Sequence, residues 1–242
     1  MNRKSLIVNR TRLRKGARST IHDSRFTIAI DGPAGAGKST IAKLIAKKMR
    51  FLYIDSGAMY RAATLFLIEN DLLNANEKKI KSAIKNIKID FKEKNRKQLV
   101  FLNKKDVSKE IRSNIINKSV SYVSSLKCIR ELMVKRQKDF GLKNSIIMDG
   151  RDIGTTVFKD ADLKIYLTAT SEERAKRRKK DLEKLNEKVN IGDLIKDIQR
   201  RDNIDSSRKI SPLSKANDAI LIDSSRLNIN QVIESIEFFL PA

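Results

Sequence analysis

The chain has 242 residues and a formal net charge of +23. A single cysteine excludes an internal disulfide, and one histidine with no Cys/His cluster argues against zinc binding and histidine-based catalysis. No apolar run approaches the roughly 18 residues of a membrane span, so we expect a cytoplasmic protein without membrane contact. Lysines are dispersed through the predicted helices, and aromatic residues are only 5%. The charge therefore predicts solvated faces and a site for phosphates, and we expect no nucleic-acid partner.

Residues 1–25 are strongly basic, with eight Lys or Arg against one acid, Asp23. No clear apolar periodicity precedes Phe26, and the apolar central region of a secretory signal is missing. We interpret this segment as a flexible basic extension or as the remnant of a longer reading frame. Because a transit peptide is also Arg-rich and poor in acids, targeting stays an alternative.

The stretch FTIAIDGPAGAGKST, residues 26–40, runs from an apolar strand candidate through three glycines into a helix. Its pattern Gly-x-x-x-x-Gly-Lys-Ser is that of the phosphate-binding loop. Glycines let several backbone N–H groups turn inward, and the N-terminus of the helix adds positive potential. Lys38 can reach a β- or γ-phosphate, and the Ser39 hydroxyl can ligate Mg²⁺. The predicted ATP-binding residues are Gly32, Pro33, Ala34, Gly35, Ala36, Gly37, Lys38, Ser39 and Thr40.

From Phe26 onward, strand-like apolar runs alternate with helical patterns. That alternation predicts an α/β fold with a parallel sheet and right-handed crossovers. The strand candidates are Phe26–Asp31, Phe51–Asp55, Ser145–Asp149, Leu163–Ala169 and Ala219–Asp223, and the predicted helices are 38–50, 57–70, 108–140 (as two), 171–185, 191–203 and 228–239. Four of the strands end in an acid, which is where catalytic acids of parallel sheets gather. Residues 87–108 alternate with period two around polar turns, so they predict a small antiparallel insert.

A GTPase is the first alternative, because Asn103–Asp106 (NKKD) matches the guanine-reading pattern Asn-Lys-x-Asp. A GTPase also needs an Asp-x-x-Gly switch between the phosphate loop and that motif. Residues 41–102 contain no such tetrapeptide. We interpret the match as coincidence in a chain rich in Asn and Lys.

Three arginine-bearing stretches predict a second, anionic substrate, since a guanidinium matches phosphate oxygens two at a time. They are DSGAMYR (55–61), DGRDIG (149–154), and the region from ERAKRR (173–178) to RRDNIDSSR (200–208). The first two follow strand candidates, so we expect them at the same sheet edge as the phosphate loop. We interpret the third as a mobile lid.

The motifs IDGPAGAGKST, YIDSGAMYRAATL, DVSKEIRS, MDGRDIGTTVFKDADLKIYLTATSEERAKRR and RRDNIDSSRKISPL occur in order. Together they resemble bacterial-type cytidylate kinases, in the superfamily of phosphate-loop nucleoside monophosphate kinases. The resemblance covers about residues 26–240. It implies transfer of a phosphoryl group from ATP, with Mg²⁺, to CMP or dCMP. It also implies a kinase domain over 26–242, with a five-stranded parallel sheet, a nucleotide-binding insert at about 56–144 and a helical lid at about 172–210.

The resemblance also assigns roles to individual residues. The acceptor phosphate would be held by Arg61, Arg151 and Arg208, and its pocket would be lined by Ser56 and Tyr60. The cytosine would be read by Ser121, Arg130 and Asp152. The sugar would face Arg201 and Asp205. Arg174, Arg177 and Arg178 would belong to the lid, and the implied catalytic residues are Lys38, Arg151, Arg174 and Arg178.

Two other readings stay open: a kinase of another nucleotide or small acid, and a nucleic-acid-binding protein with a vestigial ATPase. We expect a monomer, since no long apolar seam is left over once the core is assigned.

Overall fold

Helices and strands follow one another in an α/β order, and the structure, a computed structural model, describes residues 25–94, 97–184 and 186–240. In chain order the elements are β1 (Thr27–Asp31), α1 (Lys38–Met49), β2 (Leu52–Asp55), α2 (Ser56–Glu69), α3 (Glu77–Ile84), β3 (Ile89–Lys94), β4 (Lys97–Leu102), β5 (Lys105–Asp106), α4 (Asn114–Val123), α5 (Lys127–Gly141), β6 (Ile146–Gly150), β7 (Leu163–Thr168), α6 (Ser171–Glu183), α7 (Ile191–Ser207), β8 (Ile220–Asp223) and α8 (Ile229–Glu237). Short turns of 3₁₀ and π type lie at Glu110–Arg112 and Ile153–Val157. None of the helices in these ranges is long and apolar enough to cross a membrane.

The central sheet has five parallel strands in the order β2-β6-β1-β7-β8. Its middle strand, β1, pairs with β6 on one side, where Asp31 lies opposite Gly150, and with β7 on the other. Parallel strands bring their carboxyl ends to one edge, so the loop after β1 lies between the ends of β6 and β7. The predicted α/β fold and all five strand candidates are confirmed.

Alternate residues of the strands face two separate hydrophobic cores. Ala29 belongs to the core shared with α2, α4 and α5, whereas Ile28 and Ile30 belong to the core shared with α1 and α8. Strands that are covered on both faces read as continuous apolar runs. This is why the strands were recognisable from the sequence without an alternating pattern.

The insert predicted at residues 87–108 is confirmed as an antiparallel sheet in the order β3-β4-β5. Ile89 lies opposite Leu102 in its first pair of strands. Asn103 and Lys104 form the two-residue turn between β4 and β5, both with positive φ (49° and 72°). The NKKD tetrapeptide therefore spans a hairpin turn and strand β5 of the antiparallel sheet, and does not lie at the carboxyl end of a parallel strand.

The predicted helices are present, with ends shifted by a few residues, and the long 108–140 pattern is two helices, α4 and α5. The sequence reading missed α3, an eight-residue helix in which only Ile80 and Ile84 are buried. Asn76 caps its start by accepting a hydrogen bond from the Lys79 backbone N–H. The basic extension predicted at residues 1–25 lies outside the described residues apart from Arg25. The insert and lid bounds stay predictions.

Candidate active site

The phosphate loop joins β1 to α1 through positions that only glycine fits well. Gly32 has φ 146°, and a Cβ at this position would lie 1.9 Å from the backbone oxygen of Leu167. Gly37, with φ 93°, is the N-cap residue of α1, and no side chain caps that helix. The first N–H groups of α1 are therefore available to an anion, as in other phosphate loops.

Lys38 lies inside this loop, with only 5% of its surface exposed. Its ammonium donates a hydrogen bond to the Pro33 carbonyl, with 2.7 Å between Nζ and O. Burial, followed by the charge of Arg151, lowers the pKa of Lys38 to about 7. An anion bound in the loop would restore the ordinary, higher pKa, so phosphate binding and protonation of Lys38 favour each other.

Ser39 and Asp149 form the candidate magnesium site. The Ser39 hydroxyl donates to one carboxylate oxygen of Asp149 and the Tyr53 hydroxyl donates to the other, both at 2.8 Å. Burial, with a smaller contribution from Asp55, raises the pKa of Asp149 to about 6. No group of three or more acidic, His or Cys side chains within the described ranges could hold a metal by itself. One hydroxyl and one carboxylate suit Mg²⁺, which prefers oxygen ligands and takes the rest from phosphates and water.

Asp31 connects the phosphate loop to the turn that follows β6. Its carboxylate accepts hydrogen bonds from the backbone N–H groups of Ile153 (2.8 Å) and Gly154 (2.7 Å). Burial raises the pKa of Asp31 to about 6. The turn directly follows Arg151 and Asp152, so one carboxylate at the end of β1 holds the backbone that carries both predicted substrate residues. The sequence marked Asp31 and Asp149 as strand-end acids but assigned neither a role.

Arg174 of α6 contacts the outer side of the phosphate loop. Only 5% of its surface is exposed, and its guanidinium donates to the carbonyls of Ala34 (3.1 Å) and Ala169 (2.9 Å). Its remaining nitrogen lies 2.6 Å from a carboxylate oxygen of Asp202 in α7. Arg174 therefore holds the loop backbone and joins it to α7. Direct contact with a transferring phosphoryl group stays a prediction.

The other two predicted lid arginines differ in exposure. Arg177 donates to the Ala36 carbonyl at 3.4 Å and to the Ser224 carbonyl at 2.7 Å, so it also supports the phosphate loop. Arg178 is exposed, and its charge contributes to lowering the pKa of Arg201 on α7. Of the three, Arg178 is the side chain that could move onto a substrate without breaking a contact among the described residues.

Asp152 and Asp205 pair with arginines at the same edge of the sheet. Asp152 is 4% exposed and forms ion pairs with Arg130 and, at 3.5 Å, with Arg208. Asp205 accepts from Arg151 at 2.8 Å and lies 3.6 Å from Arg208. Burial lowers the pKa of Arg151, but the carboxylates of Asp205, Asp149 and Asp202 together outweigh burial, so the net shift is upward. Residues from α5, β6 and α7 thus meet in one network.

Arg61 and Arg201 form no side-chain hydrogen bond or ion pair with another described residue. Burial lowers the pKa of Arg61; the charge of Arg151 adds to this shift and Asp55 opposes it. Burial, together with the charges of Arg151 and Arg61, lowers the pKa of Arg201 to about 10. Two desolvated guanidiniums without a partner among the described residues favour the binding of polar or anionic oxygen atoms of a ligand. Arg112 also adds its charge beside Arg61 and was missed as a site candidate.

The remaining predicted residues line the same region. The Ser56 hydroxyl donates to the Asp149 carbonyl at 2.6 Å at the start of α2. Tyr60 packs under Arg130, with 5.5 Å between the guanidinium carbon and the ring centre. Ser121 is half-buried in α4, and its carbonyl accepts from Ser124, whose own carbonyl accepts from Arg130 at 3.1 Å. Ser56 and Tyr60 thus lie beside the arginines and carboxylates at this edge of the sheet, and Ser121 is linked to them only through Ser124.

The chain is similar to known proteins over most of its length. The family model described as cytidylate kinase matches residues 28–239. The cytidylate kinases of Bacillus thuringiensis (strain Al Hakam) and Bacillus anthracis (strain A0248) are each 46% identical over 216 residues, which cover 88% of this chain and 95% of theirs. The shikimate kinase structure from Bacteroides thetaiotaomicron aligns over 89% of this chain and 98% of its own, with a TM-score of 0.43 and 10% identity. The chain belongs to the cytidylate kinase family.

Proposed function

We propose that this protein transfers the γ-phosphoryl group of ATP to CMP or dCMP, giving ADP and CDP or dCDP. The observation that carries the proposal is the register of β1 and β6, in which Asp31 lies opposite Gly150. It sets the phosphate loop beside the turn that bears Arg151 and Asp152. Two phosphate-binding sites at adjacent strand ends suit the in-line transfer from one nucleotide to another.

On the donor side, the amides of residues 32–40 and the start of α1 bind the ATP phosphates. Lys38 leaves the Pro33 carbonyl, takes up a proton where it is neutral, and pairs with the β- and γ-phosphates. Ser39 and Asp149 would hold Mg²⁺, which would supply charge neutralisation at the phosphate oxygens. Tyr53 fixes the carboxylate of Asp149 through its second oxygen.

On the acceptor side, Arg61, Arg151 and Arg208 hold the phosphate of CMP. The acceptor oxygen is already anionic near neutral pH, so the reaction needs no general base. Catalysis is then alignment together with neutralisation of the charge that builds up on the transferring group. Arg178 closes on that group from the lid, and Arg174 maintains the loop beneath it. Exclusion of water prevents ATP hydrolysis.

Base selection depends on Asp152, which accepts a hydrogen bond from the exocyclic amine of cytosine, while Arg130 and Ser121 approach the ring nitrogen and carbonyl. Uracil presents a carbonyl at the position of the amine, so it meets the carboxylate with like partial charge. Arg201 and Asp205 face the sugar. Acceptance of dCMP, which lacks the 2′-hydroxyl, is what the resemblance to the cytidylate kinases implies.

Coupled ADP release, measured with and without CMP, tests the proposal. We expect ADP formation with CMP and dCMP that greatly exceeds the rates with UMP, AMP and shikimate. ADP release that ignores CMP, together with tight and salt-dependent binding to nucleic acid, would favour a vestigial ATPase instead. Monomeric state, cytoplasmic location and the lack of a nucleic-acid partner stay predictions.

A further inference from the structure

Three buried polar atoms near Tyr60 and Asp152 form no hydrogen bond of standard geometry with another described residue. They are Nε of Arg130, the hydroxyl of Tyr60 and the amide nitrogen of Gln137. Native proteins seldom leave buried polar atoms unpaired, and the exceptions often have a functional reason. Two of these residues were assigned to the acceptor pocket from the sequence. Gln137 was not.

Gln137 lies on the same face of α5 as Arg130, because the two residues are seven positions apart, or two helical turns. It is 1% exposed, and Arg130 is 2% exposed. That face packs against α2, which carries Tyr60. The side chain of Gln137 lies within hydrogen-bonding reach of the Tyr60 hydroxyl, and the charges of Arg130, Asp152 and Arg208 also act on that hydroxyl. Gln137 is therefore connected to the surroundings of Asp152 through Tyr60.

The polar atoms of this wall have a distinct order of donors and acceptors. The carboxylate of Asp152 can only accept hydrogen bonds when it is ionised. Nε of Arg130 and the amide nitrogen of Gln137 can only donate, and the hydroxyl of Tyr60 can donate as well as accept. The Watson–Crick edge of cytosine presents one donor, the amine, followed by two acceptors, N3 and O2. In uracil the first two positions are reversed, with a carbonyl and an N–H. An excess of donors next to one carboxylate matches cytosine.

We propose that Gln137 is a specificity-determining residue of the acceptor pocket. Gln137 is a positioning residue: its amide donates to the phenolic oxygen of Tyr60, which leaves the hydroxyl hydrogen of Tyr60 to donate to an acceptor atom of the cytosine ring. The inference rests on the proposed function and names a residue that separates CMP from UMP.

Gln137→Met tests the inference, since methionine has a similar length and no amide. We expect kcat/KM for CMP to fall while that for UMP changes little, so that the ratio of the two falls about tenfold or more. The matched control is Gln98→Met in β4. Gln98 donates to the Tyr53 carbonyl at 2.6 Å, away from Asp152, so its loss lowers Tm without changing the CMP to UMP ratio. Tyr60→Phe, which removes only the hydroxyl, lowers the ratio in the same direction as Gln137→Met.

Equal losses for CMP and UMP in Gln137→Met would mean that Gln137 only supports the fold, and would overturn the inference. An unchanged ratio in both Gln137→Met and Tyr60→Phe would do the same, even if one variant were poorly folded. A wild-type protein that phosphorylates AMP but not CMP would instead overturn the proposed function, and this inference with it. The wild-type acceptor panel therefore separates the two failures.

Discussion

The donor loop and the acceptor pocket lie side by side at one sheet edge, but they are built differently. The donor loop is continuous in sequence, and its ligands are mostly backbone N–H groups placed by glycines such as Gly32 and Gly37. The acceptor pocket gathers long side chains from α2, α5, β6 and α7, among them Arg61, Arg130 and Arg208. Its shape depends on how these elements pack and on how two carboxylates are shared among three arginines.

This difference separates binding of a common group from recognition of a particular one. A triphosphate is the same in every nucleotide, so a rigid backbone cradle is sufficient for it. Choosing one base requires donors and acceptors in a fixed order, which only side chains can vary. Changes in the donor loop should therefore affect turnover with every acceptor equally, whereas changes in the acceptor pocket should alter the preference among acceptors.

The largest effect is expected for Lys38→Met. Loss of the buried ammonium should reduce kcat by roughly a thousandfold with any acceptor, because no other group replaces its charge at the transferring phosphate. The fold should persist, since a desolvated lysine is exchanged for an apolar chain of similar length. Lys47→Met, an exposed position on the same helix, is the control. Near-normal turnover in Lys38→Met would contradict the role of Lys38 and of the loop in binding the transferring phosphate.

Asp152→Asn sharpens the acceptor side of the comparison. A neutral amide can present an N–H to the uracil carbonyl, so the ratio of kcat/KM for CMP to that for UMP should fall about tenfold. Asp205→Asn removes a carboxylate from the same arginine network but is assigned to the sugar. It should lower activity with both nucleotides and leave their ratio unaltered. A preserved ratio in Asp152→Asn would move base reading elsewhere.

Asp202→Asn examines the contact between the two regions. Asp202 lies 2.6 Å from Arg174, which also donates to the Ala34 carbonyl of the donor loop. Loss of the charge should raise the KM for ATP roughly three- to tenfold, since breaking a largely buried pair leaves Arg174 uncompensated. Asp197→Asn removes an exposed pair with Arg200 on the same helix and should have little effect. Equal kinetics for the two variants would show that the Arg174 contact has no part in ATP binding.

The smallest expected effect is the uptake of a proton by Lys38 when ATP binds. Lys38 has a pKa of about 7 in the buried loop, so at about pH 8 it is mostly neutral before ATP binds. Pairing with phosphate raises that pKa, so binding should take up close to one proton, and affinity should fall as pH rises above 7. Calorimetry of ATP binding in two buffers of different ionisation enthalpy measures the uptake. The same uptake in Lys38→Met would assign the proton to another group.

Contiguous features of the molecule were predictable from the sequence, and features that depend on packing were not. The loop at residues 32–40 and the five strands are local sequence patterns, and their positions in the structure agree with the prediction. The helix α3 was missed because two buried isoleucines in eight residues give a weak periodic signal. The contacts of Arg174 were missed because an arginine on a helix gives no sign of whether it faces solvent or a carbonyl. Gln137 was missed for the same reason: one polar residue on a buried helix face is visible only when its neighbours are known.

The double hydrogen bond from the carboxylate of Asp31 to the turn after β6 has a consequence for how this enzyme could diversify. It fixes the turn that carries Arg151 and Asp152 to the end of β1, whereas the other predicted base-reading residues, Ser121 and Arg130, lie on the separate helices α4 and α5. New acceptor preferences could therefore evolve by exchange of residues on α4, α5 and α7 while the reaction geometry is inherited intact. Drift at position 31 itself would be felt by both nucleotides at once.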